Sequence, residues 1–477
     1  QLMVGFDKSK HGYINPCHEV NTGNFKKRFD NESNYKPALF YPVNPTDNSA
    51  HLCNVFINDD NLITIEDGSD IIEDNSIVEF RYDITKQKGF NWIPIRVRHD
   101  KTIQYRLGEN NFGNAYHVAQ SIWDTIHNPI TEEILTNKVD IPDIATDEIY
   151  YNSRSSTITQ PLRNFHNLYV KKKLINAVSA PGNTLIDLSV GMGGDIPKWI
   201  SSKLSFVLGI DISSDNINNK IKGVCSRYID YKYNNPNIFD GIFLTGDSSK
   251  NIQNGSAFSK NSDDFSILNA LLGKSKSNVS DHVLKFYGIA KNGFDIVSCQ
   301  FSMHYFFKNK ETLKNFVDNI SQNCKMDGYF IGTCFDGKKL FDILEDKKIN
   351  ESYTIIKDDE KIFEVIKNYD NADFTDNDNG LGTSVNVFQE SINKSIEEYL
   401  VSFTYFTNYM ESRGFILSSP NDDLDPKGSF KKLFDMMMSE SNVNKYKLAS
   451  KLSQQEKTVS FMNNYFIYKK IRSLIED

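Results

Sequence analysis

The chain has 477 residues, 39% of them apolar and 24% charged, with a net charge of −8 at pH 7. That length has room for two or three domains, and the mixture is that of a soluble globular protein rather than a disordered or fibrous one. The acidic balance excludes a global basic footprint for duplex nucleic acid, leaving only local basic clusters for a small anion or an RNA end.

The six cysteines (Cys17, Cys53, Cys225, Cys299, Cys324 and Cys334) form no CxxC and no metal-ligand spacing, so no metal is expected. Cys299 and Cys334 sit inside apolar runs, where buried reduced thiols point to a reducing, cytoplasmic compartment. No apolar run approaches the ~18 residues of a membrane span, and the N-terminus has no signal-peptide pattern. Gln1 in place of an initiator methionine points to a piece of a longer chain.

From residue 1 to about 115 the pattern predicts an all-β domain. Short runs at 50–57, 62–65, 76–82 and 92–98 are separated by Asp, Asn and Gly turns, as in a small barrel or sandwich. The last run ends in Arg96-Val-Arg-His-Asp-Lys101, and strand alternation would place Arg96 and Arg98 on one face. With Lys101 they are candidates for phosphate contact, against a solvated strand face as the plainer reading. Residues 116–160 read as a connector with helical pieces at 117–123 and boundary signals at 140–143 and 153–157. A helix is predicted over 161–175, its lysines 171–173 able to reach over a nucleoside site beside the next strand.

That strand opens the stretch Thr184-Leu-Ile-Asp-Leu-Ser-Val-Gly-Met-Gly-Gly-Asp195. The first five residues suit a strand buried on both faces; Gly191, Gly193 and Gly194 break the chain, and a helix starts near Ile196. A second apolar run ends in Asp211, where a carboxylate can accept from ribose hydroxyls. The loop reads GxGG rather than GxGxxG and lies between Asp187 and Asp195. An acidic loop argues against pyrophosphate and for a cationic, phosphate-free nucleoside such as S-adenosylmethionine.

The α/β alternation continues. A third strand is expected over 241–247, a polar surface insertion over roughly 250–282, a fourth strand over 294–300, a helix over 313–324 and a fifth strand over 330–335. A mobile loop is expected around 368–384, then a strand at 385–388, a helix near 403–412 and a last strand near 465–468. Asp187, the glycine loop, Asp211, Asp247-Ser248 and Gln300 all fall at strand ends, where open α/β sheets bind ligands.

Two resemblances sit on these residues. Trp92-Ile-Pro-Ile-Arg-Val-Arg-His-Asp-Lys101, with Asp74–Asp83 before it, is similar to the signature of the oligonucleotide-binding (OB) fold domain that closes RNA capping guanylyltransferases. That resemblance implies phosphate contacts for Arg96, Arg98 and Lys101. The family's nucleotidyl-lysine pattern KxDG occurs only as Lys325-Met-Asp-Gly328, read as a loop before a strand, so guanylate transfer is not expected from this piece alone.

The second resemblance covers residues 160–470, which look like RNA cap guanine-N7 methyltransferases. Arg163-Asn-Phe-His-Asn-Leu-Tyr-Val-Lys171 is similar to the family's RNxNNWxK, and Leu185–Asp195 to LDLGCGKGGDL. Phe294–Tyr305 is similar to FDxxSxQFxxHY, the most diagnostic of the set, and Glu398-Tyr-Leu-Val401 comes after it. The order resembles the multifunctional capping enzymes of large cytoplasmic DNA viruses. It implies a Rossmann-like class I methyltransferase with a seven-stranded, mostly parallel sheet over 161–477, a linker over 116–160 and an OB-fold domain over 1–115.

The resemblance also implies roles. Lys171, Asp187, Gly191, Gly193, Asp211, Asp247, Ser248, Gln300 and Tyr305 would bind S-adenosylmethionine, while His166, Asn167, His304, Tyr305 and Glu398 would hold the cap guanine. No residue would act as nucleophile or base. The capped 5′ end of RNA, an upstream guanylyltransferase module of the same longer chain and a stimulatory subunit are the implied partners, in the host cytoplasm or virion. Three departures stand out. Met192 replaces the family lysine, with Lys172, Lys198 or Arg98 as substitutes for its phosphate contact. His166 replaces an asparagine, and the family's C-terminal tyrosine aligns with Asn463, Tyr465 being nearby. A non-catalytic stimulatory subunit and a methyltransferase of another RNA position are the alternatives.

Overall fold

The protein, in a computed structural model, is described over residues 1–477 except 26–34, 44, 46, 110–112, 128, 130–157, 371–372, 421–423 and 474–477. It divides into two compact units, Gln1–Pro16 with Lys26–Glu148 and Cys17–Phe25 with Ile149–Asp477. The boundary signals expected at 140–143 and 153–157 lie outside the described residues.

In the first unit, strands β1 (Met3–Asp7) and β2 (Tyr35–Leu39), β3 (Phe56–Ile57) and β4 (Ile63–Thr64), and β5 (Val78–Tyr82) and β6 (Trp92–Val97) make three antiparallel pairs. The run expected over 50–57 is strand only in its last two residues. Trp92 serves the core: its ring lies 4.8 Å from that of Tyr82, and its indole N–H donates to the Ala50 carbonyl at 3.0 Å. The helix Tyr116–His127, expected within a connector, instead packs into this unit. Tyr116 and Trp123, two turns apart on one face, bury against Val4, Phe6, Ala38 and Phe40.

The second unit is built on β7 (Thr184–Asp187), β8 (Phe206–Asp211), β9 (Asp240–Thr245), β10 (Phe294–Gln300) and β11 (Cys324–Phe335). All five run parallel, and each is apolar because both faces are covered. After the antiparallel strands β12 (Ser352–Lys357), β13 (Glu360–Lys367), β14 (Ser384–Gln389) and β15 (Lys394–Tyr399), the chain returns through β16 (Phe415–Leu417), β17 (Lys427–Ser429) and β18 (Asn463–Lys470). The main sheet has the order β16-β18-β11-β10-β7-β8-β9, with β18 antiparallel to β11 and β16 and with β17 also pairing on β18. This is the expected Rossmann-like, mostly parallel sheet, with the short β17 as an eighth strand.

Three sequence expectations change. The stretch 250–282 is no surface insertion, because Ile252, Phe258, Ile267, Leu268 and Leu271 are buried in the main core. Its Ser/Asn/Lys composition masked an apolar helix face at Ile267, Leu268 and Leu271. Strands β12–β15 form a separate four-stranded sheet, of which only β14 was anticipated; Phe363, Val365, Val385 and Val387 face Leu340, Phe341 and Leu344. The KxDG match lies in the bulged start of β11. Lys325 pairs with Asp295 at 3.0 Å and Asp327 takes φ 62°, so the run serves strand geometry.

Candidate active site

The strand order passes from β8 on one side of β7 to β10 on the other, so the carboxyl ends of β7 to β10 border one crevice. Asp187, Asp211 and Gln300 end β7, β8 and β10, and Asp247 lies two residues past β9. Between β7 and the helix Ile196–Ser201 the backbone turns through Gly191 (φ 53°) and Gly193 (φ 71°). A Cβ on Gly193 would come within 2.7 Å of the Val224 side chain, so conformation and space both require glycine. A Cβ on Gly194 would meet nothing within 4 Å, which leaves the outer side of the loop open.

Asp211 accepts from the Gly191 N–H at 2.7 Å, the Ser213 N–H at 3.0 Å and the Asn216 amide at 3.0 Å. Those bonds leave about one of a carboxylate's four lone-pair sites for another donor. Asp195 pairs with Lys198 at 2.8 Å and Lys171 at 3.3 Å. Burial opposes its charge, yet the two ammonium groups hold its carboxyl at about 2. Asp187 accepts from the Ser189 N–H at 3.0 Å, while burial and then the charge of Asp195 push it up to about 7. Lys198 is buried and also donates to the Gly194 carbonyl at 2.9 Å, so it does not replace the family lysine at Met192. The Met192 carbonyl instead accepts from Arg227 at 2.9 Å. Asp247 turns toward Ser249 and Lys250, and the Ser248 hydroxyl donates to the Leu188 carbonyl at 2.8 Å.

Gln300 accepts from the Thr333 hydroxyl at 3.1 Å. Phe301 comes next at φ 59°, a conformation costly for a bulky residue. Its ring stacks on His166 with centroids 5.2 Å apart, and the Lys171 ammonium lies 5.5 Å from its centre. This turn leads into Met303–Lys308, where His304 is buried with its ring 4.2 Å from Tyr305. Glu398, brought in by β15, is buried with Oε1 3.6 Å from His304 Nε2, outside hydrogen-bond range. Neither ring nitrogen of His304 has a hydrogen-bond partner among the described residues. Burial pushes the His304 imidazole down to about 3 and the Glu398 carboxyl up to about 8. At pH 7 the pocket therefore holds a neutral imidazole and a largely protonated carboxyl, and such unmatched buried polarity is costly unless a ligand satisfies it.

His166 faces Ser460, its Nε2 2.8 Å from the hydroxyl, and burial and then Lys171 push its pKa to about 3; Asn167 is half-buried. Asn463 donates to the Ser460 carbonyl at 3.1 Å, whereas Tyr465 sits opposite Thr333, itself opposite Gln300. Asn463 and Tyr465, two apart, share one face of β18, and a Cβ on Gly428 of β17 would lie 2.7 Å from the Tyr465 hydroxyl.

Arg96, Arg98 and Lys101 belong to the first unit. β6 ends at Val97, so strand alternation does not carry to Arg98 as expected. Arg96 pairs with Glu79 at 2.6 Å, Arg98 with Asp100 at 3.2 Å, and Lys101 donates to Gln104 at 2.8 Å. None of the predicted site residues lines the open recess of about 290 Å³ between Phe307, Phe341, Asp373 and Tyr405. Sequence reasoning missed Asn216 and Thr333; it carried Phe301 only as a motif position, without its positive φ, and Asp195 only as an acid of the glycine loop, without its two lysines.

Residues 143–471 match the family described as the mRNA (guanine-N(7))-methyltransferase domain, and residues 18–136 match the mRNA capping enzyme, C-terminal domain. The "Probable mRNA-capping enzyme" of Acanthamoeba polyphaga mimivirus is 29% identical over 395 residues, 78% of this chain and 32% of that protein. The "mRNA cap guanine-N(7) methyltransferase" of Saccharomyces cerevisiae is 29% identical over 185 residues, 37% of this chain and 33% of that one. The chain thus spans about a third of the length of either relative. A solved S-adenosylmethionine-dependent methyltransferase from Clostridium acetobutylicum is a distant neighbour, with TM-score 0.34 and 12% identity over 73% of this chain and 98% of that one. Since the first of these family matches takes in well over half of its residues, the chain belongs to the mRNA (guanine-N(7))-methyltransferase domain family.

Proposed function

We propose that this chain transfers the methyl group of S-adenosylmethionine to N7 of the guanine capping mRNA, as one module of a longer capping enzyme. The observation that carries this reading is the buried pair His304 and Glu398, the imidazole without a hydrogen-bond partner among the described residues, with the half-buried Tyr305 ring beside it, directly beyond the strand end of Gln300.

Family membership implies S-adenosylmethionine as donor, and the residues present fit it. The glycine loop has an open side at Gly194, Lys171 stands beside it on Asp195, and Asp211 keeps acceptor capacity. When bound, the donor supplies an electrophilic methyl group on a sulfonium. Lys171 takes the donor's carboxylate, Asp211 its ribose, and Asp247 with Ser248 the adenine side. Asp187 favours the sulfonium's positive charge, Gly191 and Gly193 let the backbone approach, and Gln300 and Tyr305 close the site.

Guanine N7 already carries a lone pair, so no residue needs to remove a proton; alignment at close range supplies the acceleration. Tyr305 offers its face to a base that becomes cationic on methylation. Glu398 accepts from guanine N1–H and the 2-amino group and stabilises the developing cation. His304 donates to O6, and His166 and Asn167 close the guanine side. Because the Glu398 carboxyl stands at about 8 before guanine arrives, guanine binding releases a proton near neutral pH.

The first unit is assigned to the OB-fold module of a guanylyltransferase. The match over 18–136 and the β5–β6 ladder carrying Trp92 support this. Its ion pairs at Arg96 and Arg98 are exposed and therefore weak, so phosphate can displace the carboxylates. Action in the cytoplasm or virion goes with that module. No helix among the described residues is long and apolar enough to cross a membrane.

The test is incubation of the purified chain with labelled S-adenosylmethionine and GpppA or GpppRNA. Label should enter the unmethylated cap and vanish when the cap already carries N7-methyl. Label on pre-methylated RNA, or none despite donor binding, sinks the proposal.

A further inference from the structure

One segment of the second unit comes from far outside its family boundaries. Residues Cys17–Phe25 fold with Ile149–Asp477, although the capping-enzyme C-terminal-domain match begins at residue 18 and runs to 136. The helix Pro16–Thr22 buries Val20 completely, and the Ser280 hydroxyl donates to the Asn21 carbonyl. Gly23, at φ 71°, permits a close approach: a Cβ there would lie 2.5 Å from the His282 ring. Phe25 then meets Tyr228 and His282 edge-on, with centroids 5.8 and 5.9 Å away.

The other end of the segment reaches two elements that brace the glycine loop. The Cys17 sulfur lies 2.9 Å from that of Cys225 and 3.9 Å from the Ile217 carbonyl. Ile217 adjoins Asn216, whose amide holds Asp211. Cys225 adjoins Val224, against which Gly193 packs, and Arg227 two residues on donates to the Met192 carbonyl. Both contacts are thus one residue removed from a group that shapes the donor crevice.

We propose that Cys17–Phe25 is a positioning strap for the donor half of the site, holding Asn216 and Val224 so that Asp211 and Gly193 keep their places. This rests on the donor-binding reading above. The link to the donor crevice runs from Cys17 through Ile217 and Cys225, while Asn21, Gly23 and Phe25 fasten the segment to Ser280, His282 and Tyr228.

The test uses the full chain. Gly23→Val sets a β-branched side chain against His282 at positive φ and should lift the strap. The Kd for S-adenosylmethionine should rise about fivefold or more, while the KM for GpppA stays within about twofold. Oxidised glutathione then supplies a rescue. The Cys17 thiolate attacks the glutathione disulfide and releases one glutathione. Cys225 displaces the second, so two protein thiols become one disulfide and one glutathione disulfide becomes two thiols. The cross-linked Gly23→Val protein, verified by the mass of the linked peptides, should regain wild-type donor affinity and lose it again in dithiothreitol. Should Gly23→Val not fold, Phe25→Ala is the milder variant and should show a smaller rise in the same Kd. An unchanged donor Kd, a parallel rise in the GpppA KM, or a cross-link that restores nothing overturns the strap. A wild-type chain that binds no donor overturns the functional reading itself, a result distinct from these.

Discussion

Glu398 concentrates the cost of the acceptor pocket in one side chain. It ionises near pH 4.5 when unfolded and near 8 in the fold, so the folded state holds the extra proton between those values. Stability therefore falls as pH rises across that window and is not restored above it. Glu398→Gln keeps the volume and removes the titration. Its melting temperature should match wild type near pH 4.5 and exceed it by several degrees at pH 8, while methylation of GpppA falls about 100-fold. Melting curves that shift equally at both pH values would show that the carboxyl is not desolvated. Tyr305 and Met192 give a second contrast. Tyr305→Ala should lower kcat/KM by about 100-fold or more, whereas Met192→Ala, whose backbone carbonyl still receives Arg227, should cost less than about threefold. Comparable losses in both would mean that the guanine does not lie on Tyr305.

The elements that matter are short connections held by buried contacts. The glycine loop keeps its shape through Asp211, and Asp211 through Asn216 at the start of the helix Ser214–Asn218. Asn216→Ala should weaken S-adenosylmethionine binding about three- to tenfold by calorimetry and leave the KM for GpppA unchanged, since one buried charge-assisted bond is lost. The ion pairs around Asp195 belong to the same loop. Its carboxyl is depressed to about 2 from an ordinary 3.8, so their stabilisation is present above pH 4 and is lost as pH falls through 2. Thermal denaturation should show Asp195→Asn destabilised at pH 7 and close to wild type near pH 2.

For the whole molecule the net charge of −8 limits how RNA is held. Proteins that grip six to ten phosphates lose about 10³–10⁵ in affinity between 50 and 200 mM salt. With recognition centred, as proposed, on one guanine pocket, kcat/KM for capped RNA should change by less than about tenfold over that range. A steeper dependence would reveal an extended phosphate track. The strands β7, β8 and β10 and the helix Phe403–Ser412 were legible because each apolar run is continuous or periodic and closes on a polar residue, Asp187, Asp211, Gln300 or Ser412. The strand-end positions of Asp187, Asp211 and Gln300 were legible because local spacing alone puts them there. Other features were hidden. Ile267, Leu268 and Leu271 lie in a Ser/Asn/Lys-rich context, and Ile355 of β12 and Ile362, Phe363 and Val365 of β13 are buried through the cluster they share with Leu340, Phe341 and Leu344. By itself, then, the sequence determined the βαβ frame, the acidic glycine loop and the family, since these rest on contacts between near neighbours in the chain. Only the tertiary structure decided that Glu398, 94 positions from His304, lies buried 3.6 Å from it without closing a hydrogen bond, and that Cys17–Phe25 folds with the methyltransferase unit. Pairings across such separations are set by which apolar faces bury together, and no local pattern encodes them.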